Sequence, residues 1–460
     1  MPKRPGIIPA LIVLVLLLLA RSQSVGYIWG DSGNIGIDFY HFWGVPAAMR
    51  LAPHELGSPY GNGPLYSNVL IEYADKTPDP RLKAASSFWG ARPDFTASPL
   101  LYTTFSHFSD FYTVSLVAFR KLQLAIFLTS FVLLGYFCRL EPFHIACLAP
   151  LLVLFYQPLA SDVRVGNVGC FQFASLTCLL FLADAVARAT SFARRAALGA
   201  VFLGVLAALT LCKPNVVVVS ALLAAHLAVR HGPRVVIASA LPAAAATAVL
   251  VVIPCLYFGS WTVWREWYEF VYGSNAHMLV RLVVHGNYST ALLLSSWLGA
   301  DVYAASTVLL AMLGASFLAA VSWTSVFSAP MASGAGTSVL RVLRRTFGDP
   351  QLVLTIGIVL TAAASPLYWF HYYLLSLIPT LWLLSTPESS KYLAALGAAT
   401  VVLSSGVLEP LLLRLPWPDV LPSSIALSWL PLWCAVLLRV GSPDAEAMPA
   451  READLAGQQS

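Results

Sequence analysis

Asp38 stands in Gly36-Ile37-Asp38-Phe39-Tyr40-His41-Phe42-Trp43, an acid set among aromatic residues. Four later segments add cations and amides: Val163-Arg164-Val165-Gly166-Asn167, Lys213-Pro214-Asn215, Gly286-Asn287-Tyr288-Ser289, and Ser365-Pro366-Leu367-Tyr368-Trp369-Phe370-His371. A carboxylate within hydrogen-bond reach of a hydroxyl can take its proton. A guanidinium grips phosphate oxygens as a fork, whereas an ammonium acts beside them as a point charge.

Taken singly, each segment has an ordinary reading. Lys213 at a helix end can snorkel to the headgroups, and Arg164 can anchor at the interface. The prolines in Lys213-Pro214 and Ser365-Pro366 can simply break helices. Asn287-Tyr288-Ser289 matches the short glycosylation pattern N-x-S. A lone His371 beside aromatics is ordinarily a packed side chain. The informative feature is that segments so far apart in sequence are expected at one membrane depth.

That depth follows from the elements around them. The chain has 460 residues, 58% hydrophobic and 11% charged; a soluble domain carries about 25% charged residues to keep its surface wet. Ile7 to Ala20, Leu122 to Cys138, Arg234 to Phe258 and Tyr303 to Val321 are apolar runs on the scale of a bilayer core. In hydrocarbon the backbone must satisfy its own polar groups, so these runs must be helices. The net charge of +5 comes from short clusters between apolar runs, which excludes a nucleic-acid face. The seven cysteines sit in apolar segments without a CxxC pair, and imply neither a disulfide framework nor a metal site.

Basic residues in short loops mark the cytoplasmic side. With Lys3 and Arg4 inside, the inner loops hold Arg139, then Arg188, Arg194 and Arg195, then Arg230 and Arg234, then Arg341, Arg344 and Arg345, then Lys391 and Arg439. The five polar segments then fall outside. The expectation is an all-α polytopic membrane protein of about twelve spans. The N-terminal run is read as a retained first helix, because it opens with Pro5 and Pro9 and no small-x-small cleavage site follows. Residues 1–440 form the membrane domain, and 441–460 a flexible cytoplasmic tail. The first outer loop, about residues 21–119, is rich in Gly, Pro, Tyr, Trp and Asp. Its length and aromatic density point to a folded, functional loop. Phe105 to Arg120 reads as amphipathic and is expected in the interface plane.

In order and spacing these elements resemble glycosyltransferase family 87, membrane mannosyltransferases of GT-C architecture that use polyprenyl-phosphate sugar donors. The family's D-F-x-x-[YF] element has its counterpart in Asp38-Phe39-Tyr40-His41-Phe42. Its G-x-P-L-Y-like and F-x-x-x-P segments correspond to Gly57-Ser58-Pro59-Tyr60 and Phe95-Thr96-Ala97-Ser98-Pro99. Its G-Q-x-N, K-P-Q, G-N-Q-S and S-P-x-x-W-x-H elements match Gly166-Asn167, Lys213-Pro214-Asn215, Gly286-Asn287-Tyr288-Ser289 and Ser365 to His371. The likeness covers roughly residues 5 to 390. Asn replaces Gln at 167 and 215, Tyr replaces it at 288, and Tyr372 stands where a second His often follows.

The resemblance implies transfer of a hexose, mannose first among them, from a polyprenyl phosphate to a lipid or glycan acceptor on the extracytoplasmic side. Asp38 would be the general base. Arg164, Lys213 and His371 would engage the donor phosphate, where charge grows as the anomeric bond breaks. Asn167, Asn215, Asn287 and Ser289 would bond sugar or acceptor, and Tyr40, Trp43 and Trp89 would pack against the acceptor. The polyprenyl tail would lie in a groove between helices. No cofactor or metal enters this scheme, and Asp31, Asp94 and Asp110 form no D-x-D pair. The partners implied are the lipid donor, the acceptor and membrane lipids, without nucleic acid. The implied location is a bacterial cell membrane, with both termini cytoplasmic. Two other classes compete: a transporter or lipid flippase, and a noncatalytic assembly partner.

Overall fold

A computed structural model describes residues 35–53, 56–88, 95–273, 287–327, 335–385, 391–406, 408 and 420–441. The protein is an all-α, polytopic membrane protein. No strand forms among the described residues, and an isolated bridge joins Asn287 to Trp369. The expected first helix, Trp89 and the tail lie outside the described residues.

The stretch expected to be the outer loop forms four short helices among the described residues: α1 (Ile37–Leu51), α2 (Gly63–Lys76), α3 (Pro80–Phe88) and α4 (Pro99–Phe105). Local chemistry starts them. Pro64 and Pro99 occupy first-turn positions, where a missing N–H costs nothing. Ser98 caps α4 by accepting from Leu101 N, and Asp79 caps α3 by accepting from Arg81 N and Leu82 N. Four such helices cannot bury their apolar faces singly, so they share one aromatic core of Phe39, Tyr40, Trp43, Tyr66, Tyr102 and Phe105. Trp43 Nε1 donates to Ser109 O at 2.8 Å, and Arg50 pairs with Asp110 at 2.6 Å.

The membrane part follows as α5 (Tyr112–Phe137), α6 (Pro142–Phe155), α7 (Gln157–Val165), α8 (Gly169–Arg188), α9 (Phe192–Cys212), α10 (Val217–His231), α11 (Pro233–Phe258), α12 (Val263–Tyr272), α13 (Thr290–Leu298) and α14 (Val302–Phe327). It ends with α15 (Ala335–Gly348), α16 (Pro350–Ala364), α17 (Leu377–Leu384), α18 (Lys391–Ser404), α19 (Val420–Ala426) and α20 (Leu430–Gly441).

Among the described residues seven helices are long and apolar enough to cross a bilayer, or nine if each bent pair is one span. The difference from twelve has physical causes. Besides the first helix, which is not described, two expected spans are bent and two are short. The α6–α7 pair bends by 60°, where Pro158 stands in the first turn of α7 and lacks the N–H that would continue the ladder. The second bend, 88° between Val339–Gly348 and α16, is set by Gly348-Asp349-Pro350, with Asp349 capping Gln351 N and Leu352 N. Phe370–Leu384 and Lys391–Ser404 are apolar but shorter. A further difference is α5, which begins at Tyr112, inside the stretch expected to be outer loop. Residues 112–120 are thus the first turns of a membrane helix, not a separate interfacial one.

The helices separate the polar segments from the basic ones. With 20 residues, α8 spans about 30 Å from Gly169 to Arg188. Helix α9 then returns from Phe192 to Cys212, which brings Lys213 back to the level of Asn167. At the other end, His226 Nδ1 pairs with Phe347 O at 2.8 Å, and Arg345 donates to Val440 O at 2.8 Å.

Candidate functional site

The site grows from the turn between α7 and α8. Gly166 adopts φ 72°, and a Cβ there would strike Phe39, so only glycine lets this turn approach α1. Asp162, fully buried, accepts from Gly169 N and Cys170 N, both at 3.0 Å, and so caps α8 with an acid at its positive end. Two residues one helical turn apart on α5 clamp the same loop. Arg120, 2% exposed, donates to Val163 O at 3.1 Å and Arg164 O at 2.6 Å. Gln123 Nε2 donates to Asn167 O at 2.6 Å and Asp162 Oδ2 at 3.2 Å. These contacts fix the backbone of Asn167.

Its side chain is then fixed as well. Asn167 Oδ1 accepts from Val168 N at 2.6 Å, and a backbone N–H can only donate. The amide orientation is therefore determined. Lys213 Nζ donates to the same Oδ1 at 2.5 Å. On the opposite edge, Asn167 Nδ2 donates to Asp38 Oδ2 and lies 2.9 Å from His371 Nε2. Since Nδ2 has only hydrogens to offer, His371 Nε2 is an acceptor and the imidazole proton sits on Nδ1. One amide thus joins an acid, an ammonium and a neutral imidazole. The four residues come from α1, the α7–α8 turn, the α9–α10 break and the segment after α16.

Each partner is held from behind. The Lys213 ammonium lies 5.8 Å from the Phe42 ring centre and 5.1 Å from that of Tyr372, a cation–π arrangement. Tyr372, the departure from the resemblance noted above, therefore forms one wall of the lysine slot. The His371 segment is tied down by Asn287, whose Nδ2 donates to Pro366 O and whose Oδ1 accepts from Tyr368 N. Ser289 Oγ donates to Ser365 O at 2.5 Å and caps α13 through Leu292 N. Tyr156 at the α6–α7 bend donates to Tyr373 O at 2.8 Å.

Of the expected site residues, Asp38, Asn167, Lys213 and His371 meet. Asn215 is one step away, accepting at Oδ1 from Gln172 Nε2 at 2.8 Å. Asn287 and Ser289 spend their polar atoms on the backbone of 365–368, which makes them positioning residues. Tyr40 and Trp43, both 0% exposed, belong to the interior of the outer loop and present no ring to an acceptor. The Arg164 side chain is exposed and makes no hydrogen bond or ion pair among the described residues, while its carbonyl serves the Arg120 clamp. Sequence reasoning missed Asp162, Arg120, Gln123, Gln172 and His41. Asp162 was within reach, immediately before the Val163 to Asn167 segment that the sequence singles out. His41 is buried three residues after Asp38, on the same side of α1.

Beside the cluster a groove of about 440 Å³ opens between α5 and α8, lined by Ala125, Ile126, Thr129, Ser130, Phe171, Ala174 and Ser175. Phe171 in its wall stacks on Phe119 at 5.6 Å. Phe119 in turn packs on Phe39, the neighbour of Asp38, at 5.3 Å. No protein family, characterised protein or solved structure matches this chain.

Proposed function

We propose that this protein is a membrane glycosyltransferase that moves a hexose from a polyprenyl-phosphate donor to a lipid or glycan acceptor at the extracytoplasmic face of a bacterial cell membrane. The observation that carries the reading is the convergence of Asp38, Lys213 and His371 on the side-chain amide of Asn167. In the reaction the acceptor hydroxyl oxygen bonds to the anomeric carbon, and the bond from that carbon to the phosphate oxygen breaks. The departing oxygen keeps the electron pair, and the hydroxyl proton passes to Asp38. Lys213 supplies positive charge to the developing phosphate charge, and it lies against two aromatic rings. Asn167 bonds both the acid and the ammonium, and so holds the two groups at one place. The α5–α8 groove suits the donor's apolar chain, since its lining is mostly apolar and Phe171 in its wall connects through Phe119 to Phe39, the neighbour of Asp38.

The test is to incubate purified protein with polyprenyl-phosphate mannose, glucose and arabinose plus a membrane lipid extract, and to read products by mass spectrometry. Transfer by the wild type and its loss in Asp38→Asn are expected. A protein that moves lipid between leaflets without transferring sugar, and does so equally well as Asp38→Asn, overturns the reading.

A further inference from the structure

Two polar rungs, not one, join the start of α8 to the α9–α10 break. The first is Asn167 with Lys213, already described. The second is Gln172 with Asn215, two residues beyond the lysine. This second rung is incomplete. Gln172 is 2% exposed, and its Oε1 is buried without a hydrogen-bond partner among the described residues. Exchanging O and N in both amides at once keeps their mutual bond, so in either orientation one buried polar atom of Gln172 and one polar atom of Asn215 stay open. Asn215 is half-buried, and its Nδ2 makes no hydrogen bond among the described residues. A buried acceptor left unpaired costs on the order of 1–3 kcal/mol, a cost that a bound group able to donate would remove.

We infer that Gln172 and Asn215 form the hydroxyl-reading subsite for the sugar of the donor, a reading that rests on the transfer activity proposed above. A sugar hydroxyl both donates and accepts. Set against the outer edge of the bonded pair, it gives its proton to the open carbonyl oxygen and accepts from the open amide N–H, which satisfies both positions at once. The position suits the role. Asn215 is two residues from Lys213 along the chain and Gln172 is one turn into α8 from Val168, next to Asn167, so a donor with its phosphate at Lys213 is proposed to bring its sugar ring to this rung. Sites built to bond a hydroxyl reject analogues lacking it, because the buried partners are then left unpaired. Gln172 and Asn215 therefore select the donor rather than drive the chemistry.

The experiment compares polyprenyl phosphomannose and phosphoglucose with the four monodeoxy analogues of each, using full-length protein in proteoliposomes. For one hydroxyl, the wild type is expected to prefer the complete sugar by about 10- to 100-fold in kcat/KM. Gln172→Leu, close in shape but apolar, is expected to bring that ratio to within about threefold of unity while leaving the other three ratios in place. Asn215→Ala, at a half-buried position, is expected to flatten the same ratio and covers the case in which Gln172→Leu does not fold. If both variants slow complete and deoxy donors equally, the rung is structural and the inference is overturned while sugar transfer stands. If the wild type transfers from no donor, the transfer reading falls and the inference falls with it.

Discussion

Lys213 Nζ donates to Asn167 Oδ1 at 2.5 Å although the two residues are 46 positions apart. The two helices between them, α8 and α9, are an antiparallel pair whose only route back to the starting level is their full length. A lysine at a proline break and an asparagine after a left-handed glycine thereby become neighbours. The remaining donors of Asn167 are used on Asp38 and His371. Removing the hub, as in Asn167→Ala, is therefore expected to disturb three functional groups together. Transfer should fall at least 100-fold, and double variants with Lys213→Ala should lose much less than the product of the single losses. Full additivity in steady-state kinetics would show that the hub does not couple them.

Asp38→Asn preserves size and one hydrogen-bonding oxygen but removes the proposed base. Turnover is expected to fall by about 10²–10⁴-fold, with donor binding retained. Equilibrium binding of a fluorescent polyprenyl-phosphate sugar, measured beside product formation, separates the two quantities. Near-normal turnover would remove Asp38 from the mechanism.

Lys213 differs in what its loss should do. As a point charge at the phosphate it should affect donor engagement, so Lys213→Met, which keeps the stem between Phe42 and Tyr372, is expected to raise the apparent KM for donor about 10-fold or more. Lys213→Arg should restore part of the donor engagement, since a guanidinium keeps the charge, stacks on aromatic faces and bonds phosphate as a fork. Donor titration at saturating acceptor gives the answer.

How much of this was legible in the sequence varies with the physics involved. Lys213-Pro214 and Ser365-Pro366 interrupt apolar runs, so their level in the membrane follows from charge placement alone. The positioning residues were hidden because a polar side chain in an apolar helix does not say which way it faces. Arg120 and Gln123 at the start of α5 look like residues reaching for headgroups, yet they face inward to clamp the turn before α8. Tyr40 and Trp43 gave the opposite error. Aromatic density in an outer loop resembles a contact surface, but a loop of four short helices needs its own core and uses them for it. The span count differed because hydropathy does not register a bend: α6–α7 and α15–α16 are apolar overall but turn by 60° and 88°.

The Asp162 cap makes a stability prediction. Asp162→Ala strands the N–H groups of Gly169 and Cys170 in a buried place and should destabilise the protein by roughly 3 kcal/mol. Thermal unfolding in detergent, followed by tryptophan emission, measures it. Arg120→Leu should act in the same direction by releasing Val163 O and Arg164 O. A shift in transfer rate without loss of stability would instead assign these residues to substrate.

His41 sets a pH dependence. Burial holds its imidazole down to about 4, and the nearby Asp38 carboxylate opposes this without reversing it. The unfolded chain binds this proton near pH 6.5, so between about 6.5 and 4 only the unfolded state is protonated at this position. Stability from this group is therefore present above pH 6.5 and is lost as pH falls through that window, by roughly 3 kcal/mol at its lower end. His41→Gln cannot take up the proton and should flatten this part of the profile. Unfolding midpoints from pH 7.5 to 4 for both proteins provide the check, and parallel profiles would show that His41 titrates alike in both states.

The groove between α5 and α8 yields a prediction that depends on chain length. Ala125 and Ala174 line it, and a large ring at either position would fill much of its roughly 440 Å³. If the donor's apolar chain lies there, Ala174→Trp removes binding energy that only a long chain collects, at about 0.8 kcal/mol for each methylene no longer buried. The expected result is a raised apparent KM for a long polyprenyl donor and an unchanged one for a donor shortened to two isoprene units. The acceptor-hydroxyl chemistry at Asp38 is untouched by the substitution, so kcat with the short donor reports whether the site itself is intact. Equal losses with both donors would mean that the tryptophan distorts α8 and Asn167 with it, and no loss with either would place the chain elsewhere.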